Sequence, residues 1–208
     1  YYVSAYCDMV KSGAVKMGGK INICVPTGNF GNILAAYIAG KMGLPVNKFI
    51  CASNRNNVLT DFFKKGGTYD KNRDFYTTSS PSMDILISSN LERLLFFASD
   101  YDDKLVADLM DKLAQGGSYQ VAADVFAKIE KDFDAGCCDD TAAAQTIKAL
   151  WENEHYLCDT HTAVAVRVYE DYRARTGDKT PTVIASTASP FKFCRSVIEA
   201  LGGTLERD

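Results

Sequence analysis

The stretch Lys20-Ile-Asn-Ile-Cys-Val-Pro-Thr-Gly-Asn-Phe-Gly-Asn-Ile-Leu-Ala-Ala-Tyr-Ile-Ala-Gly40 decides the fold. A short apolar strand runs into a Gly/Asn loop that opens directly onto an apolar helix. Gly28 and Gly31 permit backbone angles and close approaches that side chains forbid, and Asn29 and Asn32 tolerate left-handed geometry. The helix that follows offers unpaired N–H groups at its positive end, which is an anion site by construction. The loop is neither Gly-x-Gly-x-x-Gly nor Gly-x-x-x-x-Gly-Lys-Ser/Thr, and the turn holds no lysine or arginine. Dinucleotides and nucleoside triphosphates therefore lose their usual support, and a single phosphate monoester fits better. The same spacing also suits a plain strand-to-helix turn whose glycines serve only packing.

Working outward, the β-rich runs Ile21–Val25, Phe49–Ala52, Phe75–Thr78 and Thr182–Ser186 read as strands. The first two flank a helical pattern, which is the βαβ signature of parallel pairing. Helices are expected over 2–17, 31–42, 56–65, 89–97, 102–114, 118–130, 139–151, 160–175 and 190–200, several closed by glycines. The fold class is therefore α/β with a parallel sheet. Residues 100–155 read as a helical insertion between the third and fourth strands, within one domain spanning 1–208, because no Pro/Gly/Ser linker marks its edges.

Composition narrows the function. At 47% hydrophobic and 24% charged residues, the 208-residue chain is an ordinary globular sequence rather than a disordered or fibrous one. A net charge of −3 leaves no basic field for nucleic acid or an anionic membrane, so a phosphate must be held locally. No apolar run reaches the length of a membrane span and the opening residues lack a signal-peptide layout, so the expected location is cytoplasmic. Seven cysteines, odd in number and scattered through apolar contexts, suit reduced buried thiols. Tyr1, Tyr2, Ala5, Tyr6, Met9 and Val10 already form a helical stripe, and the expectation is that an upstream portion precedes Tyr1.

Asp100, Asp102 and Asp103, and Asp139-Asp140, sit where helix starts favour acidic residues and read as caps rather than paired acid/base groups. His155-Tyr-Leu-Cys-Asp-Thr-His161 has ligand-like gaps but no second ligand pair, so no metal site is expected. Asn54-Arg55-Asn56 follows the second strand on the carboxyl edge of the sheet. It either contacts a ligand or forms a turn in which Asn56 caps the next helix.

Val25-Pro-Thr-Gly-Asn-Phe-Gly-Asn32 resembles the loop that holds the cofactor phosphate in threonine synthases. Ala52-Ser-Asn-Arg-Asn-Asn-Val-Leu59, Ser80-Pro-Ser-Met-Asp-Ile85, Ser89-Asn-Leu-Glu-Arg-Leu-Leu95, Asp159-Thr-His-Thr-Ala-Val-Ala165 and Ala185-Ser-Thr-Ala-Ser-Pro-Phe-Lys-Phe193 resemble the same family in order. Thr160 stands where that family has proline. The resemblance implies the fold of the fold type II pyridoxal-phosphate enzymes, with pyridoxal 5′-phosphate as cofactor. It implies conversion of O-phosphohomoserine and water to threonine and phosphate, a carbon–oxygen lyase reaction on a phosphate ester. Gly28, Asn29, Phe30, Gly31 and Asn32 would hold the cofactor phosphate, and Thr187 would meet the pyridine nitrogen. The family's Schiff-base lysine has no matching motif here. It is expected upstream of Tyr1, so no catalytic residue is assigned in this chain and the fragment is expected to be inactive without its amino-terminal half. Lys192 reads as a helix-start residue. Two alternatives stand beside this one: a serine/threonine dehydratase or O-acetylserine sulfhydrylase of the same fold, and a non-catalytic α/β module that binds a phosphorylated metabolite.

Overall fold

A computed structural model describes residues 1–204. Six strands are present among them: β1 (Ile21–Pro26), β2 (Val46–Ser53), β3 (Thr68–Asp70), β4 (Ser118–Gln120), β5 (Phe133–Cys137) and β6 (Thr182–Ile184). The α-helices are α1 (Tyr2–Lys11), α2 (Gly31–Lys41), α3 (Val58–Lys64), α4 (Leu91–Ala98), α5 (Asp103–Gly116), α6 (Ala123–Asp132), α7 (Asp140–Glu154), α8 (Thr160–Thr176) and α9 (Cys194–Ala200). Four strands make an all-parallel sheet in the order β5-β2-β1-β6, and β3 and β4 form a separate antiparallel pair.

Every residue of β1 is buried, the mark of a central parallel strand covered on both faces. Its side chains alternate between two cores. Ile21, Ile23 and Val25 join Phe49 and Cys51 against α2 and α3, while Cys24 joins Ile50 and Ala52 against α7, α8 and α9. Asp178 ties the amino ends together, accepting from Asn22 at 2.9 Å, Asn47 at 3.3 Å and the Tyr172 hydroxyl at 2.7 Å. Burial would raise the Asp178 carboxyl, but these donors and Thr180 outweigh it and hold the group well below the ordinary aspartate range.

Several readings need correction. Phe75–Thr78 is not a strand, because its N–H groups go to side chains: Tyr76 donates to Asn56 Oδ1 and Thr78 to Asp84 Oδ2, both at 2.9 Å. The stretch 100–155 is not helical throughout. It holds α5, α6 and α7, but also β4 and the edge strand β5, which pairs with β2 from Phe49↔Phe133 to Ser53↔Cys137. β5 escapes a hydrophobicity reading because only Phe133 and Ala135 of Phe-Asp-Ala-Gly-Cys are buried. Helix α1 ends at Lys11 rather than reaching 17, with Gly13 turning the chain at φ +77°. Two of the acidic caps hold, Asp102 accepting from Leu105 N at 3.0 Å and Asp139 from Ala142 N at 2.8 Å, whereas Asp100 takes a left-handed turn at φ 58° and pairs with Lys128 at 2.7 Å. All seven cysteines are free thiols, but Cys7, Cys137 and Cys194 are exposed rather than buried.

Phe133 docks β5 to the rest of the α2-side core, with its ring 5.2 to 5.9 Å from those of Phe30, Tyr37, Phe49 and Phe63. Phe133→Ala is expected to lower the unfolding free energy by about 3–5 kcal/mol in urea denaturation. A loss under about 1 kcal/mol would mean that this cluster does not hold the edge strand.

Candidate functional site

The sheet order sets where a ligand sits. From β1 the chain steps to β2 and β5 on one side and returns with β6 on the other, so the winding reverses between β1 and β6. Open α/β sheets bind ligands outside the carboxyl ends of the strands at such a reversal. A cleft of about 480 Å³ lies there, and both Asn32 and Thr187 line it, with Tyr2, Val183 and Ser186 completing its walls. The Tyr2 hydroxyl donates to Asn32 Oδ1 at 2.5 Å. Burial, then the neighbouring Cys24, pushes this phenol up to about 12, so it remains a neutral donor at ordinary pH.

The loop from β1 to α2 has its carbonyls bonded and its N–H groups unmet. Gly28 O accepts from Ser88 Oγ at 2.8 Å, and Asn29 O accepts from both Asn90 N at 3.1 Å and Asn90 Nδ2 at 2.7 Å. Among the described residues, no acceptor meets the N–H groups of Gly28 to Ile33, and no side chain caps α2. The first closed bond of the helix is Leu34 N to Phe30 O at 3.0 Å. Six backbone donors around the start of α2 thus lack a protein acceptor, four of them on the partly or fully exposed Gly28, Asn29, Gly31 and Asn32 and two on the buried Phe30 and Ile33, with no cationic side chain in the loop.

The residues play parts different from those their types suggest. Neither asparagine is left-handed; Phe30 is, at φ 64°. Such a bulky residue in that region costs about 1–3 kcal/mol. Full burial of a phenylalanine ring contributes a similar 1.5–3 kcal/mol, and Phe30 is 1% exposed, packed 6.2 Å from Phe63 and 5.9 Å from Phe133. The ring anchors the loop in the core. Gly28 answers a close approach: a Cβ there would lie 2.5 Å from the Ser82 carbonyl oxygen. Gly31 and Asn29 are exposed at the loop surface.

A polar scaffold stands beneath. Asn54 Nδ2 donates to Thr78 Oγ1 and Asp84 Oδ1, both at 2.8 Å, and Asn56 Nδ2 donates to Tyr76 O at 2.8 Å and Asp84 Oδ1 at 3.0 Å. The segment does turn, with Asn54 Oδ1 accepting from Asn56 N at 2.9 Å, but the expected cap is absent. Asn56 caps no helix, the side chains of Asn54 and Asn56 fix the 76–84 loop, and Arg55 stacks 3.7 Å over the Tyr76 ring. Asp159 caps α8, accepting from His161 N at 2.8 Å and from the Thr162 hydroxyl. The His161 ring reaches Asp159 with Nδ1 at 3.2 Å and accepts from Ser82 N with Nε2 at 3.2 Å. His155 is the exposed left-handed cap residue of α7, and Cys158 and His161 are buried. Lys192 is exposed in the 3-10 turn Pro190–Phe193 and does not line the cleft. Sequence patterns miss Ser82, Ser88 and Asn90 because their contributions are main-chain contacts and loop-to-loop bonds with no spacing signature.

With this geometry in hand, relatives can be compared. The family described as "Threonine synthase, C-terminal" matches residues 162–208. Threonine synthase of Saccharomyces cerevisiae is 41% identical over 198 residues, covering 88% of this chain and 38% of its own length. Human threonine synthase-like 1 is 43% identical over 202 residues, 97% of this chain and 27% of its own. The pyridoxal-phosphate-bound threonine synthase of Brucella melitensis superposes with a TM-score of 0.83 at 38% identity, covering 90% of this chain and 39% of that one. The chain belongs to the threonine synthase family. It corresponds to a carboxyl-terminal portion, spanning between about a quarter and two fifths of the length of these relatives. Its parallel α/β architecture is that of the fold type II enzymes, as the loop motif implied.

Burial pushes the Asp159 carboxyl up, but hydrogen bonds from His161 and Thr162 outweigh it and hold the group below the ordinary aspartate value. A depressed carboxylate stabilises the fold above its unfolded pKa of about 4, and this contribution is lost as pH falls through the folded value. The stability margin of wild type over Asp159→Asn is therefore expected to be full at neutral pH and to shrink below about pH 4. Urea titrations across this range check it; a margin independent of pH would contradict it.

Proposed function

We propose that this chain forms the cofactor-phosphate-binding portion of a threonine synthase that converts O-phosphohomoserine and water to threonine and phosphate. The observation that carries the reading is that Asn32, at the open N–H end of α2, and Thr187, after β6, wall the same cleft at the sheet's reversal point. Donors without acceptors fit a phosphate, and a hydroxyl across the cleft fits a neutral ring nitrogen, so the residues present suit pyridoxal 5′-phosphate. When bound, that cofactor supplies an electron sink for charge developing at the substrate's α-carbon.

The chain's own residues bind and orient. The amides of Gly28 to Ile33 hold the phosphate, and the ring of Phe30 keeps the loop from moving with its load. Thr187 donates to the pyridine nitrogen without placing a carboxylate beside it, which keeps the electron withdrawal modest, as suits an elimination. Tyr2 and Val183 contribute apolar surface to the cleft wall. No lysine lines the cleft among the described residues. The Schiff-base lysine and the grip on the substrate's carboxylate and γ-phosphate belong, in this proposal, to an amino-terminal half of the same protein, and the 208-residue chain alone does not turn over. Residues 1–208 are then part of one domain that this half completes. No helix of the described residues is long and apolar enough to cross a membrane; a cytoplasmic location is part of the same proposal.

Protein expressed from its natural start is expected to release threonine and phosphate in equal amounts from O-phosphohomoserine, and the 208-residue chain neither. Release of ammonia and a keto acid instead would point to a dehydratase, and no product at all would remove the enzymatic reading. Thr187→Val, which keeps shape and removes the hydroxyl, is expected to lower turnover by about tenfold, the worth of one hydrogen bond.

A further inference from the structure

The phosphate loop rests on a floor, and one buried ring sets the height of that floor. The Ser82 carbonyl packs so closely under Gly28 that a Cβ there would lie 2.5 Å from its oxygen and 3.2 Å from Met83 Cα. Ser82 belongs to a single 3-10 turn, Pro81–Met83, a short element with little stiffness of its own. Its N–H is held at 3.2 Å by His161 Nε2. His161 in turn is fixed on three sides: Nδ1 lies 3.2 Å from Asp159 Oδ1 and 3.4 Å from the Thr160 hydroxyl, and the Phe193 ring packs at 4.8 Å. His161 is 3% exposed and Asp159 is fully buried. Asp159 is itself the cap of α8, a 17-residue helix packed on the sheet.

The direction of these bonds fixes the ring's protons. A backbone N–H only donates, so Nε2 must present its lone pair, and Nδ1 carries the hydrogen that points to Asp159. A continuous path then runs from α8 through Asp159, His161 and Ser82 to Gly28. His161 does not line the cleft. Its position two residues into a helix explains its backbone, yet the acceptor contact across 79 residues of sequence is more than a helix start requires.

We infer that His161 is a positioning residue for the phosphate loop: through its Nε2 acceptor it holds the Ser82 carbonyl against Gly28 and so fixes the orientation of the amide cradle. The inference rests on the reading of that loop as the cofactor-phosphate site. A residue acting this way affects the grip on the phosphate and leaves the grip on the ring unchanged. That separates it from a residue that merely stabilises the fold, whose loss weakens both.

The test uses protein expressed from its natural start, stripped of cofactor, with pyridoxal 5′-phosphate and pyridoxal as the two probes in calorimetric titrations. His161→Asn keeps a polar group near the Nδ1 position but is too short to reach Ser82; His161→Gln carries a carbonyl oxygen to the Nε2 position. Wild type is expected to prefer pyridoxal 5′-phosphate strongly. His161→Asn is expected to lose about tenfold of that preference, the effect of a donor left without its acceptor, with pyridoxal affinity unchanged. His161→Gln is expected to restore the preference. Melting temperatures recorded alongside identify a variant that has not folded, in which case the His161→Gln comparison with wild type carries the result. If wild type shows no preference, the phosphate-site reading fails and the inference with it. If wild type prefers the phosphate ester and His161→Asn does so equally, the inference alone fails. Equal weakening of both probes, or loss of the preference in His161→Gln as well, assigns the ring a packing role and overturns it.

Discussion

The site depends on one constraint: the loop after β1 must spend its carbonyls on the protein and leave its N–H groups without protein acceptors. The 82–90 segment enforces this by occupying the inner side. Ser88 and Asn90 take the carbonyls of Gly28 and Asn29, and the Ser82 carbonyl blocks any retreat of Gly28. Phe30 adds the third restraint by accepting a left-handed backbone so that its ring can join Phe63 and Phe133 in the core. A loop with its acceptors spent and its donors free holds an anion without a cation, which suits a protein whose net charge is −3.

The parallel sheet makes that constraint useful. Because β1 and β6 are neighbours with the winding reversed between them, Asn32 at the start of α2 and Thr187 line one cleft although 155 residues separate them. The register Asn22↔Thr182 to Cys24↔Ile184 sets this juxtaposition, and the Asp178 cluster at the opposite end of the sheet holds it. Packing at one edge of the sheet therefore determines chemistry at the other.

Much of this was legible in the sequence where the physical signal is local. β1 is apolar but for Asn22, α2 opens at its glycine, and acidic residues stand at the starts of α5 and α7, so strand, helix and caps followed from neighbouring residues. β5 was not legible, because an edge strand with two buried side chains and a glycine packed against Val168 has neither a run nor an alternation to read. The strand-to-helix turn was visible from Gly28 to Asn32, but the division of labour within it was not: the left-handed residue is a phenylalanine, chosen by ring packing that only the folded chain reveals. The bracing of the 76–84 loop by Asn54 and Asn56 was likewise not legible, since their partners lie 20 to 30 residues away. The part played by His161 was hidden for the same reason, its acceptor meeting a backbone N–H 79 residues distant.

The most direct test of the account is an amide-resolved NMR titration of the protein with inorganic phosphate. The account predicts saturable shifts concentrated on the backbone amides of Gly28 to Ile33, with smaller ones at Ser82 and Ser88. Saturable shifts elsewhere on the molecule, with those six amides unmoved, would contradict it.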